Sequence, residues 1–255
     1  MHAIILAGGE TPPELRATVP DCPLERALLP IGGKPMLSWV YEAMRGAQGI
    51  ERILVACGPE TTAQLNEIAP NAEALPDAGT MMKNAVAATR AIDGQQAIIC
   101  TGDVPLVTSS EFEELMAGAR DRKLEGVYSV APQRIIERDF PEGKRTYARV
   151  REGKYTAGNA VIAPGGVIER MSGVFDAFYR ARKNPMAMAK ILGPSFLMKA
   201  LTGRLTIAEA ERAVSRLLDA PCGALEMSTA GIAWDVDKPA HLQAVEAVLK
   251  RKAAG

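Results

Sequence analysis

A chain of 255 residues suits one large α/β domain or two small ones, long enough to bury a core without staples. Hydrophobic residues make up 47% and charged residues 24%, the ordinary balance of a globular protein. Thirty Lys or Arg balance thirty Asp or Glu, and this zero net charge argues against nucleic acid as a partner, since a duplex binder carries a basic excess.

Four cysteines, Cys22, Cys57, Cys100 and Cys222, lie far apart without a C-x-x-C pair, so neither a zinc site nor a thioredoxin motif is indicated. The sequence opens on an apolar run with no basic segment before it, so no signal peptide is expected. No apolar stretch is long enough for a transmembrane segment. A reducing cytoplasm is the expected compartment.

In chain order, Ala3 to Ala7 reads as a buried strand that stops at Gly8 and Gly9. Glycines there let backbone N–H groups form a small anion-binding concavity, although the same pair also makes an ordinary tight turn. Glu10 to Arg26 is polar and proline-rich and reads as a loop. Ala27 to Ile31 is apolar, Gly32–Gly33 turn, and Lys34–Pro35 are expected to open a helix over 36–46. Strand, glycine turn, loop and returning lysine can hold polyphosphate. Neither G-x-G-x-x-G nor the P-loop sequence is present.

Arg52 to Cys57, Ala72 to Leu75 and Ala97 to Thr101 read as further strands, separated by helices over 60–69 and about 81–92. Continuous apolar strands alternating with helices predict a mostly parallel mixed sheet covered on both faces, a Rossmann-like three-layer α/β/α sandwich. Ligands then belong outside the carboxyl ends of the strands. At one such end, Asp77-Ala-Gly-Thr80 precedes the helix that carries Asn84; Thr80 is at least a helix cap. At the next, Asp103 follows the strand, either as a turn residue or as a hard oxygen ligand for Mg²⁺.

Ser109 or Ser110 is expected to cap the next helix, with Ser110-x-x-Glu113 as a capping box. Gly126 to Pro132 is a fifth strand. In the polar segment 133–146, the Lys144–Arg145 pair suits an anionic acceptor or a solvated hairpin. Tyr147–Val150 and Thr156–Ala163 read as a strand pair. Residues 167–218 read as all helix, with breaks near Ser172, Asn184–Pro185, Gly193–Pro194 and Thr202–Gly203. This insert is rich in Met and Leu, and three readings stay open: a lid, a homodimer surface, or a pocket for an apolar acceptor. Gly231 to Asp237 is expected as the last strand, which would put Asp235 and Asp237 on one face.

Four segments, LAGG (6–9), RALLPIGGKPM (26–36), GDVP (102–105) and DVDKP (235–239), stand in an order that resembles the nucleotidyltransferases of the glycosyltransferase-A type. These include the sugar-1-phosphate nucleotidylyltransferases, the molybdenum-cofactor guanylyltransferase with its MobA-like relatives, and the methylerythritol cytidylyltransferase. The resemblance implies a single nucleotidyltransferase domain over 1–255, with a helical insert at about 167–222. It implies Mg²⁺-dependent transfer of a nucleoside monophosphate from an NTP to a phosphorylated small-molecule acceptor, with release of pyrophosphate. By position it implies nucleotide binding by Leu6, Ala7, Gly8, Gly9, Arg16, Gly79, Thr80 and Asn84. It implies acceptor binding by Gly158 and Asn159, and metal binding by Asp103 and Asp237 with Asp235 beside them. Arg26, Lys34 and Asp103 fall at catalytic positions.

The chain departs from the family pattern in three places. Arg26 stands where the family has lysine, the loop motif is not clean and Arg16 is taken to stand in for its arginine, and Lys238 and Ala240–His241 replace the Thr and Glu-Asp of the closing motif. A catalytically inactive nucleotide- or sugar-nucleotide-binding regulator is the alternative that Arg26 raises. A glycosyltransferase would want D-x-D in mid-chain, and here it occurs only at 235–237.

Overall fold

A computed structural model describes residues 1–141, 145–181 and 185–254, so the readings placed on Lys144 and on the Asn184 break fall outside it. The strands are β1 (His2–Leu6), β2 (Pro30–Ile31), β3 (Lys34–Pro35), β4 (Arg52–Cys57), β5 (Glu73–Pro76), β6 (Ala97–Thr101), β7 (Gly126–Pro132), β8 (Ala148–Val150), β9 (Gly153–Ala163) and β10 (Cys222–Glu226). The helices are α1 (Pro13–Arg16), α2 (Met36–Gly46), α3 (Pro59–Ile68), α4 (Met81–Arg90), α5 (Ser109–Asp121), α6 (Gln133–Asp139), α7 (Gly165–Ala181), α8 (Pro185–Leu192), α9 (Pro194–Leu201), α10 (Ile207–Leu218) and α11 (Pro239–Ala254).

Among the described residues, eight strands form one sheet in the order β10-β7-β9-β6-β1-β4-β5, with β8 paired to β9. The β1–β4, β1–β6, β4–β5 and β10–β7 pairs are parallel, and β9 runs antiparallel between β6 and β7. Side chains alternate across the sheet. Ala3 and Ile5 of β1, Val55 of β4 and Cys100 of β6 pack with Leu37 and Met44 of α2 and Phe112 of α5. Ile4, Leu54 and Ile99 point the other way, onto Ala85 and Ala88 of α4 and Ile168 of α7. Burial on both faces is why these strands read as unbroken apolar runs. The expected α/β/α sandwich is what forms.

Four local expectations change. First, α5 is capped by Thr108 rather than Ser109 or Ser110, with Glu111 closing the capping box. Second, Gly231–Asp237 is not a strand. Gly231–Ala233 form a 3-10 turn, and the following residues are irregular. Their apolar character comes from burial in a third cluster, in which Ala233, Trp234 and Val236 pack with Leu29, Ile31, Met36 and Phe140. Third, the last strand is β10, added to the sheet edge beside β7; the helical segment therefore ends at Leu218, and Cys222 already belongs to the sheet. Lys34–Pro35 also pair with Pro30–Ile31 rather than opening α2, which begins at Met36.

The third cluster lies beneath the segment that carries Asp235 and Asp237, with the Trp234 ring stacked on Phe140 at 4.3 Å between centroids. Trp234 is almost fully buried. Trp234→Ala should therefore lower the unfolding free energy by about 3–5 kcal/mol, read as a shift in urea midpoint.

Candidate active site

From β1 the chain builds β4 and β5 on one side, then returns to place β6 on the other. This is the topological switch point of the sheet, where an open α/β fold leaves a crevice at its carboxyl edge. Gly102 N–H donates to Leu6 O at 2.9 Å and Ala7 N–H to Ala56 O at 2.8 Å, so strand pairing runs up to the rim. There the Ala7-Gly8-Gly9 and Gly102-Asp103 turns face each other. A Cβ on Gly102 would lie 3.2 Å from Ala7 Cβ and 3.3 Å from Ala7 Cα, so a side chain there would press the two turns apart by a few tenths of an ångström. Gly9 has φ +108° with open space beyond it, a conformation that L side chains rarely adopt.

Beside this turn stands the 77–84 loop. Asp77 Oδ1 accepts from Gly79 N–H at 2.9 Å and from Asn84 Nδ2 at 2.7 Å, while Asn84 Oδ1 accepts from Ala78 N–H at 2.6 Å. Asn84 is buried, and those bonds brace the loop. A Cβ on Gly8 would come within 2.8 Å of the Asp77 carboxyl, so the first glycine turn is fitted against this braced loop. Thr80 caps α4, accepting from Lys83 N–H at 3.3 Å. Gly79, at φ +88°, faces open space.

The 10–26 loop is tied down at both ends. Glu10 and Glu25 form an isolated antiparallel bridge, and Thr11 Oγ1 donates to Pro23 O at 2.8 Å. The Glu25 carboxylate accepts from Glu60 N–H at 2.8 Å and Thr61 N–H at 2.9 Å, at the start of α3. That anchors the neighbouring Arg26, whose N–H reaches Gly9 O at 3.2 Å.

Arg26 lies at the centre of the crevice. Its Nη1 is 2.9 Å from Asp103 Oδ2, and its Nη2 is 2.7 Å from Asp237 Oδ1 and donates to Val236 O at 2.6 Å. Val236 N–H in turn donates to Asp103 O at 3.0 Å. Three segments distant in sequence, the 10–26 loop, the turn after β6 and the 235–237 segment, thus meet at one guanidinium.

Asp235 is held separately. Its carboxylate pairs with Arg145, which also donates to Ala233 O and lies over the Trp234 ring at 4.9 Å. A hydrogen bond that a protonated Asp237 would make to the Asp235 carboxylate, with burial and the Asp235 charge, pushes Asp237 up to about 6. For Asp235, burial raises the pKa, but the hydrogen bonds to Asp237 and Arg145 outweigh it and bring it down to about 2. With Asp103, three carboxylates face two guanidiniums.

The other expected residues fall around this centre or away from it. Arg16 on α1 pairs with Glu10 at 3.6 Å. Lys34 is not in the cluster: it pairs with Glu42 and lies 3.7 Å over the Trp39 ring. Asn159 on β9 donates to Ile232 O at 3.2 Å. Gly158 is a packing position, where a Cβ would meet Ser129 Oγ at 2.1 Å. Sequence reasoning passed over Glu25 and Glu111. Glu111 is buried and accepts from Thr108 N–H at 2.9 Å and Ile232 N–H at 3.0 Å, so it fixes the segment leading to Asp235 against the turn following Asp103. A Glu three residues after Thr108 was its available signal.

Asp103 and Asp237 suit a divalent cation. Their oxygens already converge on one positive group, and Mg²⁺ takes one or two carboxylates together with phosphate oxygens and water. Among the described residues no group of three or more His, Cys, Asp or Glu could hold a metal. Asp103 and Asp237 are the two carboxylates whose oxygens converge on Arg26. Glu25→Ala would orphan the first N–H groups of α3 and unpin Arg26. It should cost about 1–2 kcal/mol in a denaturant titration.

The MobA-like NTP transferase domain profile matches residues 3–219. A hypothetical transferase from Thermus thermophilus is 32% identical, with 94% of this chain and 98% of that one superposing at a TM-score of 0.76. The synthetase of CMP:2-keto-3-deoxy-manno-octonic acid, solved with CTP, superposes at 0.61 with 17% identity over 98% and 99% of the two chains. The 4-diphosphocytidyl-2C-methyl-D-erythritol synthase of Anaerococcus prevotii does so at 0.60 with 12% identity over 98% and 96%; both share the fold. The bifunctional protein GlmU of Azoarcus is 34% identical over 128 residues, which is 49% of this chain and 27% of GlmU, so the match spans about a quarter of that relative. With the profile spanning most of its length and the crevice lined as described, the chain belongs to the MobA-like NTP transferase family.

Proposed function

We propose that the protein transfers a nucleoside monophosphate from an NTP to a phosphorylated small-molecule acceptor. One observation carries this reading: Asp103 and Asp237 converge on a single positive charge at the switch point, beside the Gly8–Gly9 turn. In the step itself, an acceptor phosphate oxygen bonds to the α-phosphorus while the bond to the bridging oxygen of the β-phosphate breaks. Pyrophosphate leaves with that electron pair.

The acceptor phosphate is ionised near neutral pH, so no side chain has to remove a proton. Both histidines fit this. His2 bonds Gln95, and His241 Nδ1 accepts from Asp237 N–H at 3.3 Å. The chain's task is positioning and charge neutralisation. Asp103 and Asp237 would hold Mg²⁺, which supplies neutralisation of phosphate charge when bound. Arg26 then exchanges carboxylate for phosphate, which its planar fork grips in two places. The Gly8–Gly9 turn cradles phosphate, the 77–84 loop borders the base, and Asn159 with Arg145 borders the acceptor.

A second reading, an inactive nucleotide-binding regulator, draws on the same Arg26 contact, because a guanidinium fixed on both carboxylates would exclude metal. Pyrophosphate release, assayed with each NTP against a panel of phosphorylated acceptors, separates the two. Turnover is expected with one base, and Asp103→Asn should abolish it while circular dichroism stays unchanged. Arg26→Ala should lower transfer by ~10²-fold. Because Arg26 competes with metal for the carboxylates, the Arg26→Gln protein without nucleotide should bind Mn²⁺ more tightly than wild type, measured by electron paramagnetic resonance. Equal affinities would mean that Arg26 does not guard the site.

A further inference from the structure

We infer that the helical insert α8–α10 is a surface that docks on an anionic lipid bilayer. The first observation is charge. Residues 180–216 hold eight Lys or Arg against two Glu, inside a chain whose totals are equal. The two acidic groups are already engaged, Glu209 by Lys199 and Glu211 by Arg122. Lys190, Arg204, Arg212 and Arg216 are exposed and form no ion pair among the described residues.

The second observation is apolar exposure. In α9, PSFLMKAL, no residue is buried despite Phe, Met and two Leu. Met198 and Leu201 share one face of that helix, three residues apart, at 60% and 75% exposure. A helix this apolar and this uncovered is not part of the protein's own core. Lys199, the one basic residue of α9, is paired with Glu209, so the cations that would meet anionic headgroups beside the exposed Leu and Met come from the neighbouring α8 and α10.

The third observation is shape. A cavity of about 960 Å³ opens between α9 and α10, lined by Leu192, Phe196 and Ala213, with Lys199, Arg212 and Arg216 beside Glu209 and Asp219. Lys199 and Glu209 pair with each other, which leaves Arg212 and Arg216 against Asp219 at an apolar lining, a net positive charge that suits a lipid phosphate above its acyl chain.

Charge also selects among occupants. A second copy would bring the same basic face against itself across a twofold axis, which like charges oppose. Nucleic acid would match the charge but leave Met198 and Leu201 in water. Among the described residues no helix is long and apolar enough to cross a membrane, so the contact is peripheral.

Co-sedimentation of the full chain with phosphatidylcholine vesicles, with and without phosphatidylglycerol, tests this. Binding is expected only with phosphatidylglycerol and should weaken as salt rises, because surface charges are screened. Arg212→Glu with Arg216→Glu should lower partitioning at least tenfold. Met198→Asp with Leu201→Asp should do the same, and NTP affinity should be unchanged in both. Melting temperature verifies that each variant is folded, and Arg212→Gln with Arg216→Gln gives a milder pair with an intermediate loss. The inference is overturned if wild type ignores phosphatidylglycerol, or if folded variants bind as wild type does. It is also overturned if lipid-free protein sediments as a dimer that Leu201→Asp dissociates. None of these readouts depends on nucleotidyl transfer, so the two proposals fail separately.

Discussion

The crevice depends on the pairing of Arg26 with Asp103 and Asp237. Both partners are short acids fixed by backbone, Asp103 on the turn after β6 and Asp237 on the segment bonded to it through Val236 N–H. Removing the guanidinium would leave three carboxylates with only Arg145 to offset them. The hydrogen bond to Asp235 and burial hold the Asp237 carboxyl above the usual carboxylate range, while the Arg26 charge pulls it down. Such a cluster favours any cation that reaches it. Arg26 is the positive group that occupies this position among the described residues.

Which parts of this were legible in the sequence follows from physics. β1, β4 and β6 were readable because burial on both faces leaves an unbroken apolar run of strand length. The position of Gly8, Gly9 and Asp103 at the carboxyl edge was readable because each follows directly on an apolar strand run. β10 was missed because CGALE is short, contains glycine and carries no alternation at the sheet edge. The 231–237 segment was misread for the complementary reason. Its apolar side chains enter a cluster between helices and loops, and periodicity does not separate that from sheet burial.

Lys34 shows the limit of motif proximity. It follows Arg26 by eight residues, yet the intervening β2–β3 turn carries it onto Trp39 and Glu42. Glu25 was invisible for a different reason, and the Thr108-x-x-Glu111 spacing marks Glu111 only as a local cap. Each uses its carboxylate on backbone N–H groups of a remote segment, and such bonds depend on tertiary placement rather than local pattern. They are what gives irregular chain a fixed position: a buried carboxylate is costly unless bonded, so each holds its N–H partners where loop backbone alone would not.

Topology also explains how the insert can exist. β9 runs antiparallel to its neighbours and ends at the amino edge of the sheet, where β10 begins. No crossover over the sheet is needed between them, so their connection is free to lengthen. Loop-closure entropy rises only with the logarithm of length, about 0.6 kcal/mol per doubling, so a helical excursion there costs little. The β5-β4-β1-β6 half of the fold lacks this freedom, because each parallel connection must return over a face to restart at the amino edge. The same sheet thus keeps a constrained crevice on one side and offers an insertion point on the other. There, helices of different charge and apolarity can be added without moving Asp103 or Gly8.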